Sequence, residues 1–490
     1  MREIIKSQPQ LGVLDIDSIK PDIKSRDEID KISFGLIHIY STPELREKVF
    51  AVLNRVLPPK ISKKMGRPGM EMWQIFVLAV FRNACNIDYD KLHNLANNHK
   101  LLRQLLGHSG AEIWSSSQYY HIQTIKDNVS LLSDEIINEI NAIVVEAGHK
   151  LLSNKKKESL NCSVDSFVVK TDVHYPTDIN LLYDSIRKLV EILATLCFKY
   201  KITDLRQSKH NLRKVKKHLY KVQNSKRSRN EKLIVERHHT YIDTVQPLLT
   251  QTKEALRKLQ SLQKLEILDG LYLLTIEEYI TFAEKHIDLI QRRVFKGEEI
   301  QSSEKIFSIF EPHTRWISKG KAGVSVEFGL PVTIIKDQFG YILSHIIMET
   351  TSDVDVAVEI ARMVVELYSN IYSISYDKGF WSPENYAAIC KLIEKVIMPK
   401  KGKANKVQQE EYDSPEFKKF RAKHSSVESA INRLEYNGLD KCLDHGIDGF
   451  KRYVSISIVS NNIHNLGSQL MKKELKKQKR KRKPKPNQAA

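Results

Sequence analysis

The sequence predicts an α/β core, a mixed five-stranded sheet with helices, interrupted by a large all-helical insertion and preceded by an all-α region. Three observations carry this. β-favouring runs occur at Leu160–Val173 and again from Gly323 onward. Between them the apolar residues recur at helical spacing, partly as heptads. Before them the patterns are helical throughout. The chain therefore divides into a helical segment (1–60), a second helical region (61–155), a core in two pieces (156–180 and 301–470), an insertion (181–300) and a basic tail (471–490).

Thr42-Pro43-Glu44 opens a helix with a capping residue, a Pro in the first turn and an acid at the positive end. That helix stops near Leu57-Pro58-Pro59, and a linker from Lys60 to Pro68 follows. An apolar helix then carries Trp73, Ile75, Phe76, Leu78, Ala79 and Phe81, and short helices follow at Asp88–Asn97 and Lys100–Leu106. Three short helices with tight turns suit either a helix-turn-helix DNA-binding module or a plain helical domain. A longer helix is expected from Ser117 to Leu152.

The run Cys162, Val164, Phe167, Val168, Val169 is a strand, ended by His174-Tyr175-Pro176-Thr177, and Asp178 opens a helix. Leu205, Leu212, Val215, Leu219 and Val222 form one heptad seam, and Ile242, Val245, Leu249, Thr252, Leu256 and Leu259 form another. The polar break Asn224–Asn230 between them makes an antiparallel coiled-coil hairpin with a basic tip, kinked at Pro247. From Phe198 to Arg237 there are 14 Lys and Arg against 3 Asp and Glu, an excess that suits a phosphate backbone as well as a solvated face.

Val324–Ile335 and Tyr341–Ile347 read as a hairpin about Asp337-Gln338-Phe339-Gly340. A helix at Asp353–Tyr368, a strand at Ile371–Tyr376, a helix opened by Ser382-Pro383-Glu384 and a strand at Val396–Met398 come next. A polar loop (Lys400–Pro415), a helix to Leu434 and a last helix from Gly449 complete the core. Lys472–Lys485 holds ten Lys and Arg and one acid, the composition of a disordered, DNA-clinging tail.

Composition narrows the partners. The net charge of +19 favours a polyanion, because counterion release drives non-specific DNA affinity. The five cysteines form no CxxC pair, which argues against a zinc ribbon or a disulfide framework and fits a reducing interior. Neither a signal-peptide core nor a membrane-length apolar stretch is present. The expected location is cytoplasmic, at the nucleoid.

Three acidic islands then stand out: Val164-Asp165-Ser166 and Tyr376-Asp377-Lys378-Gly379-Phe380 at strand ends, and Ser426-Val427-Glu428-Ser429 in a helix. Carboxylates brought together from two strand ends and a helix suit Mg²⁺ or Mn²⁺, and two such ions form a clamp for in-line displacement at phosphorus. Glu435, two turns beyond Glu428 on the same face, is the rival third acid. Asp172, His174 and Asp178 have spacing that also permits a metal site, although Asp178 reads as a helix cap.

Without its insertion, the order of elements resembles an RNase H-like core, with the first strand central and the fourth beside it. The three islands resemble the acidic motifs of DDE-type bacterial insertion-sequence transposases. His174–Asp178, His313-Thr314-Arg315-Trp316-Ile317-Ser318-Lys319-Gly320-Lys321 and Asn437–Cys442 resemble the ISNCY-like group. The resemblance implies an enzyme that binds the terminal inverted repeats of its own element in double-stranded DNA, cuts the 3′ strand at each end and joins the freed 3′-OH to target DNA. It implies two Mg²⁺ (or Mn²⁺) ions held by Asp165, Asp377 and Glu428, and a homodimer or larger synaptic assembly. Related enzymes carry Arg four residues before the last acid and Lys seven after it; here those positions are His424 and Glu435. Arg421, Lys423 or Arg433 are the substitutes for phosphate contact, and Arg67, Arg315, Lys319, Lys321 and Lys378 are further DNA-binding candidates. His424 is a candidate for orienting water or phosphate. Trp381 is a candidate for base stacking or a core residue. A metal-dependent nuclease or resolvase that cuts without joining, and a noncatalytic DNA-binding protein, are the alternatives.

Overall fold

The structure is a computed structural model that describes residues 15–56, 69–108, 119–152, 159–225, 230–262, 264–318, 326–403 and 405–482. In chain order the helices are α1 (Glu28–Ser41), α2 (Pro43–Leu53), α3 (Met72–Ala84), α4 (Tyr89–Asn98), α5 (Lys100–Leu105), α6 (Ile122–Val129) and α7 (Asp134–Leu152). Strand β1 (Leu160–Lys170) follows, then α8 (Asp178–Lys199), α9 (Ser208–Ser225), α10 (Glu231–Gln260) and α11 (Ile267–Ile290). The rest is β2 (Arg315–Ser318), β3 (Val326–Lys336), β4 (Ile342–Ile347), α12 (Asp353–Leu367), β5 (Ile371–Tyr376), α13 (Pro383–Cys390), β6 (Lys395–Ile397), α14 (Lys406–Asp413), α15 (Pro415–Leu434) and α16 (Gly446–Arg482).

The fold is mixed α/β, and its sheet is mixed as well. Strand order is β2-β3-β1-β5-β6, with β4 paired to β3. β1 runs antiparallel to β3 (Val164↔Ile335, Val169↔Leu330) and parallel to β5 (Cys162↔Ile374, Val164↔Tyr376). β6 is parallel to β5, and β4 is antiparallel to β3. Five strands were expected and six are present among the described residues. The extra one, β2, is four residues long with alternately half-buried and exposed positions, too short for a period-2 signal. Trp316 on it packs on Phe307 and Phe328.

Alternation along β1 assigns two cores. Leu160, Cys162 and Val164 face a core shared with Ile374, Tyr376 and helix α12. Phe167 and Val169 point the other way, into a core with Val427, Ile431 and Leu434 of α15 and Phe450 and Val454 of α16. Both faces are covered, which is why these strands read as near-continuous apolar runs.

The chain separates into two units, residues Met1–Asp172 with Gly329–Ala490, and Val173–Phe328. In the first, α16 is the hub against which α1, α3 and α7 pack. Its backbone closes on α1 through two glycines. A Cβ at Gly467 would lie 1.8 Å from the Lys31 carbonyl oxygen, and one at Gly35 would lie 2.4 Å from the Ile463 carbonyl oxygen. α3 is buried almost all round, so it is a core helix and not a groove reader. The helix expected at Ser117–Leu152 is broken into α6 and α7, with Ser133 and Asp134 restarting it. The tail expected to be disordered is helical as far as Arg482. Lys, Arg, Gln and Leu are good helix formers, and a run that extends an existing helix needs no new nucleus.

In the second unit, the two heptad seams do form, but not as a free-standing hairpin. Val215, Leu219, Val222, Ile242, Val245, Leu249, Leu256 and Leu259 share one core with Leu182, Ile186, Leu189 and Leu193 of α8 and Leu273, Ile276 and Ile280 of α11. α8 and α11 carry apolar stripes of their own that the hairpin covers. α10 continues through Pro247 as one helix. The middle of the basic break, residues 226–229, lies outside the described residues. Among the described residues, no helix is long and apolar enough to cross a membrane.

Candidate active site

The parallel register of β1 and β5 builds the site. Val164 sits opposite Tyr376, so one step further on Asp165 lies beside Asp377, with backbones roughly 5 Å apart as in any parallel pair. Both acids share the parity of Phe167, the face toward α15. Asp377 ends the strand and caps the short turn Lys378–Phe380, which Phe380 anchors by packing on Tyr376.

Helix α15 brings Arg421, His424 and Glu428 along one stripe, at i, i+3 and i+7. Two polar contacts seat it on the sheet. Buried Lys336 donates from Nζ to the Ser426 carbonyl at 3.0 Å, and His424 Nδ1 is hydrogen-bonded to Ser375 Oγ at 2.9 Å. The Asn437–Cys442 segment fixes the far end. Cys442 N–H donates to the Lys170 carbonyl at 2.7 Å, and Lys170 N–H to the Asp440 carbonyl at 3.1 Å.

The charges register one another. Burial pushes the Asp165 carboxyl from 3.8 to about 6, and the negative charges of Asp377, Asp353 and Glu428 push the same way; the Ser166 backbone N–H, bonded to Oδ1 at 2.8 Å, pulls against them. Glu428 is among the acids acting on Asp165. Asp377 behaves differently. Burial raises its carboxyl, but the Arg421 hydrogen bond at 3.0 Å, the Lys378 backbone N–H and the Arg421 charge outweigh it and hold the group below its ordinary value. Arg421 also donates to the Tyr376 carbonyl at 2.9 Å. Burial lowers His424 to about 4, aided by the Arg421 charge, so its ring is neutral at pH 7, with Nδ1 engaged by Ser375.

Asp353 is the residue that sequence reasoning passed over. It opens α12, bonds the Ser166 side chain, and has its carboxyl raised by burial and by Asp377. A Cβ on Gly379 would lie 3.2 Å from its Oδ2, so the turn after Asp377 passes directly over it. In the sequence, Ser352-Asp353-Val354-Asp355 reads as a helix opening and nothing more, because an acid at that position already suits the helix dipole.

The cations scatter more widely. Lys378 and Lys423 are exposed, Lys378 being next to Asp377 in the chain. Arg433 is partly buried, donates to the Asn461 carbonyl and meets His464 Nδ1, each at 3.0 Å. Arg421 is engaged by Asp377. Trp381 is half-buried against the core, with Lys400 Nζ 5.3 Å from its ring centroid. Arg315 belongs to the other unit. Arg67, Lys319 and Lys321 lie outside the described residues. In the alternative set, Asp172 pairs with Lys441 at 2.6 Å, Asp178 with Arg293 at 2.7 Å, and His174 lies 3.5 Å from Asp184.

Among the described residues, no three His, Cys, Asp or Glu side chains are closed into a metal-binding group as they stand. The donor chemistry nonetheless suits a hard divalent cation, since the acids offer only carboxylate oxygens. The rise at Asp165 comes first from burial and then from the neighbouring acids, and a cation beside the carboxyl would offset both.

Arg421→Gln tests the electrostatics. Removing the guanidinium takes away the interactions that depress Asp377, so its pKa rises, read by carboxyl-carbon NMR across a titration. A depressed acid stabilises the fold above its unfolded pKa and ceases to as pH falls through its folded one. The stability difference between wild type and Arg421→Gln therefore disappears at the acid end. An Asp377 titration unchanged by the substitution counts against the pairing.

Compared with known protein families, curated proteins and solved structures, the chain matches none of them.

Proposed function

We propose that this chain is an insertion-sequence transposase of the DDE type with an RNase H-like core, which binds the terminal inverted repeats of its element and cuts and joins DNA strands. The observation that carries this reading is the side-by-side placement of Asp165 and Asp377 on parallel strands β1 and β5, with Glu428 of α15 acting on the same carboxyl. The strand order β4-β3-β1-β5-β6 supports it, with the first strand central and the fourth core strand parallel beside it. The motif resemblance and the net charge of +19 are in keeping with it.

Asp165, Asp377 and Glu428 would hold two Mg²⁺ or Mn²⁺ ions, with Asp353 a fourth oxygen donor beside them. When bound, such a pair supplies charge stabilisation to the attacking and leaving oxygens at a phosphate. The protein's part is positional. Strand register holds Asp165 and Asp377 on rigid backbone, and Lys336, Ser375 and His424 hold the helix that presents Glu428. Arg421 offsets the Asp377 charge from the side. Lys378 and Lys423, exposed near the acids in the chain, offer cations to a DNA backbone.

The test uses the DNA that flanks the gene. A duplex bearing its inverted repeat, pre-cleaved to expose the 3′-OH, is incubated with the full chain, plasmid target and Mg²⁺. Joined product is expected. Hydrolysis alone converts the reading to a nuclease on the same core, and binding with neither product leaves only a DNA-binding protein.

A further inference from the structure

We infer that the first two turns of α11 form a self-association surface, through which this chain pairs with a second copy of itself. α11 has two apolar faces at its start. One, with Leu273, Ile276 and Ile280, is buried in the helical unit. The other presents Ile267, Leu268, Leu271, Tyr272 and Leu274, between 51% and 87% exposed. Further along, the outward positions turn polar, with Glu277, Glu278, Thr281, Glu284 and Asp288 exposed. A helix apolar on both sides is normally buried on both sides. Phe198, 89% exposed in the last turn of α8, lies at the same end of the unit, where Lys199 Nζ meets Asp269 at 2.7 Å.

Size and charge choose the occupant. These side chains expose roughly 700–900 Å² of mostly apolar surface, well beyond scattered surface residues and close to the ~800 Å² each partner gives to a stable interface. α11 carries five acids and one base, whereas α9 in the same unit carries six bases and no acid. An acidic helix repels DNA and anionic membrane alike. Two chains of +19 each repel one another except where cations are neutralised locally. At this end two of them are: Lys199 pairs with Glu266 and Asp269, and Lys258 pairs with Asp204. Ile267, Leu271 and Leu274 are spaced i, i+4, i+7, a seam that two copies related by a two-fold axis bury against each other. This inference stands apart from the catalytic reading and needs neither DNA nor metal.

Sedimentation velocity on nucleic-acid-free full-length protein tests it. At about 50 µM, the weak end for interfaces of this size, the wild type is expected to sediment as a dimer. Leu271→Glu/Leu274→Glu is expected to be monomeric, with helicity unchanged because both side chains are exposed. Mixing it with Leu271→Lys/Leu274→Lys restores a dimer. A monomeric wild type, a dimer that survives the double substitution, or flotation of the wild type with neutral phosphatidylcholine vesicles that the substitution abolishes, overturns the inference.

Discussion

Asp165→Asn is expected to lower strand cleavage by on the order of 10³-fold or more while binding to the terminal repeats persists. In the proposed function the lost group would be a ligand for the catalytic ions, whereas DNA affinity would rest on the basic side chains. The same substitution is expected to stabilise the metal-free protein at pH 7. The Asp165 carboxyl sits at about 6 in the fold against an ordinary 3.8. An acid whose pKa is raised by folding costs nothing below its unfolded pKa, costs progressively more as pH rises through the interval, and costs the full amount above it. About two pK units correspond to roughly 3 kcal/mol, and partial exposure of the side chain reduces this to about 1–2 kcal/mol. Wild-type stability should therefore fall between pH 4 and pH 6 relative to the Asn variant, as followed by urea denaturation. Added Mg²⁺ should raise the unfolding midpoint of the wild type and leave the variant nearly unmoved. Cleavage at the wild-type rate in the variant removes Asp165 from the chemistry. A variant less stable than wild type at pH 7 counts against a raised Asp165 carboxyl.

Asp444→Ala is expected to destabilise the first unit by about 3–5 kcal/mol, enough to leave it marginally folded. Arg82 lies on α3, and its side chain is 2% exposed. Its Nη2 meets Asp444 Oδ1 at 2.8 Å, and its guanidinium stacks 3.9 Å from the Tyr89 ring centroid. Asp444 also receives Arg452 at 3.4 Å just inside α16. Removing the carboxylate strands a charge that water cannot reach. Adding Arg82→Met to Asp444→Ala should recover most of the loss, because a buried pair replaced by apolar groups costs far less than a pair broken on one side. The comparison of single and double variants by chemical denaturation decides it. A single variant that unfolds like wild type, or a double variant no better than the single, sinks the assignment.

Much of this architecture is written in local pattern. Runs of β-favouring residues marked β1, β4 and β5, and alternation at Val324, Val326 and Phe328 marked the start of β3. Helical spacing marked α8 to α11, and capping residues marked the openings of α2 and α13. The short strand β2 and the break between α6 and α7 escaped, being smaller than the window over which periodicity is read. The helical run beyond Leu470 escaped because composition describes a free segment, and here it continues a helix already nucleated upstream.

The candidate site divides the same way. Asp165, Asp377 and Glu428 stood out in the sequence because short phrases flank them and because Asp377 closes a predicted strand; Asp165, expected at a strand end, lies in the middle of β1. Only tertiary structure decided that Asp353 joins them, that Arg421 is engaged by Asp377, that His424 is a neutral ring bonded to Ser375, and that Arg433 turns toward α16. Sequence records which residues an element carries and which face they share, since both follow from the backbone period. Which partner meets that face depends on contacts between residues far apart in the chain, and these exist only once register and packing bring the elements together.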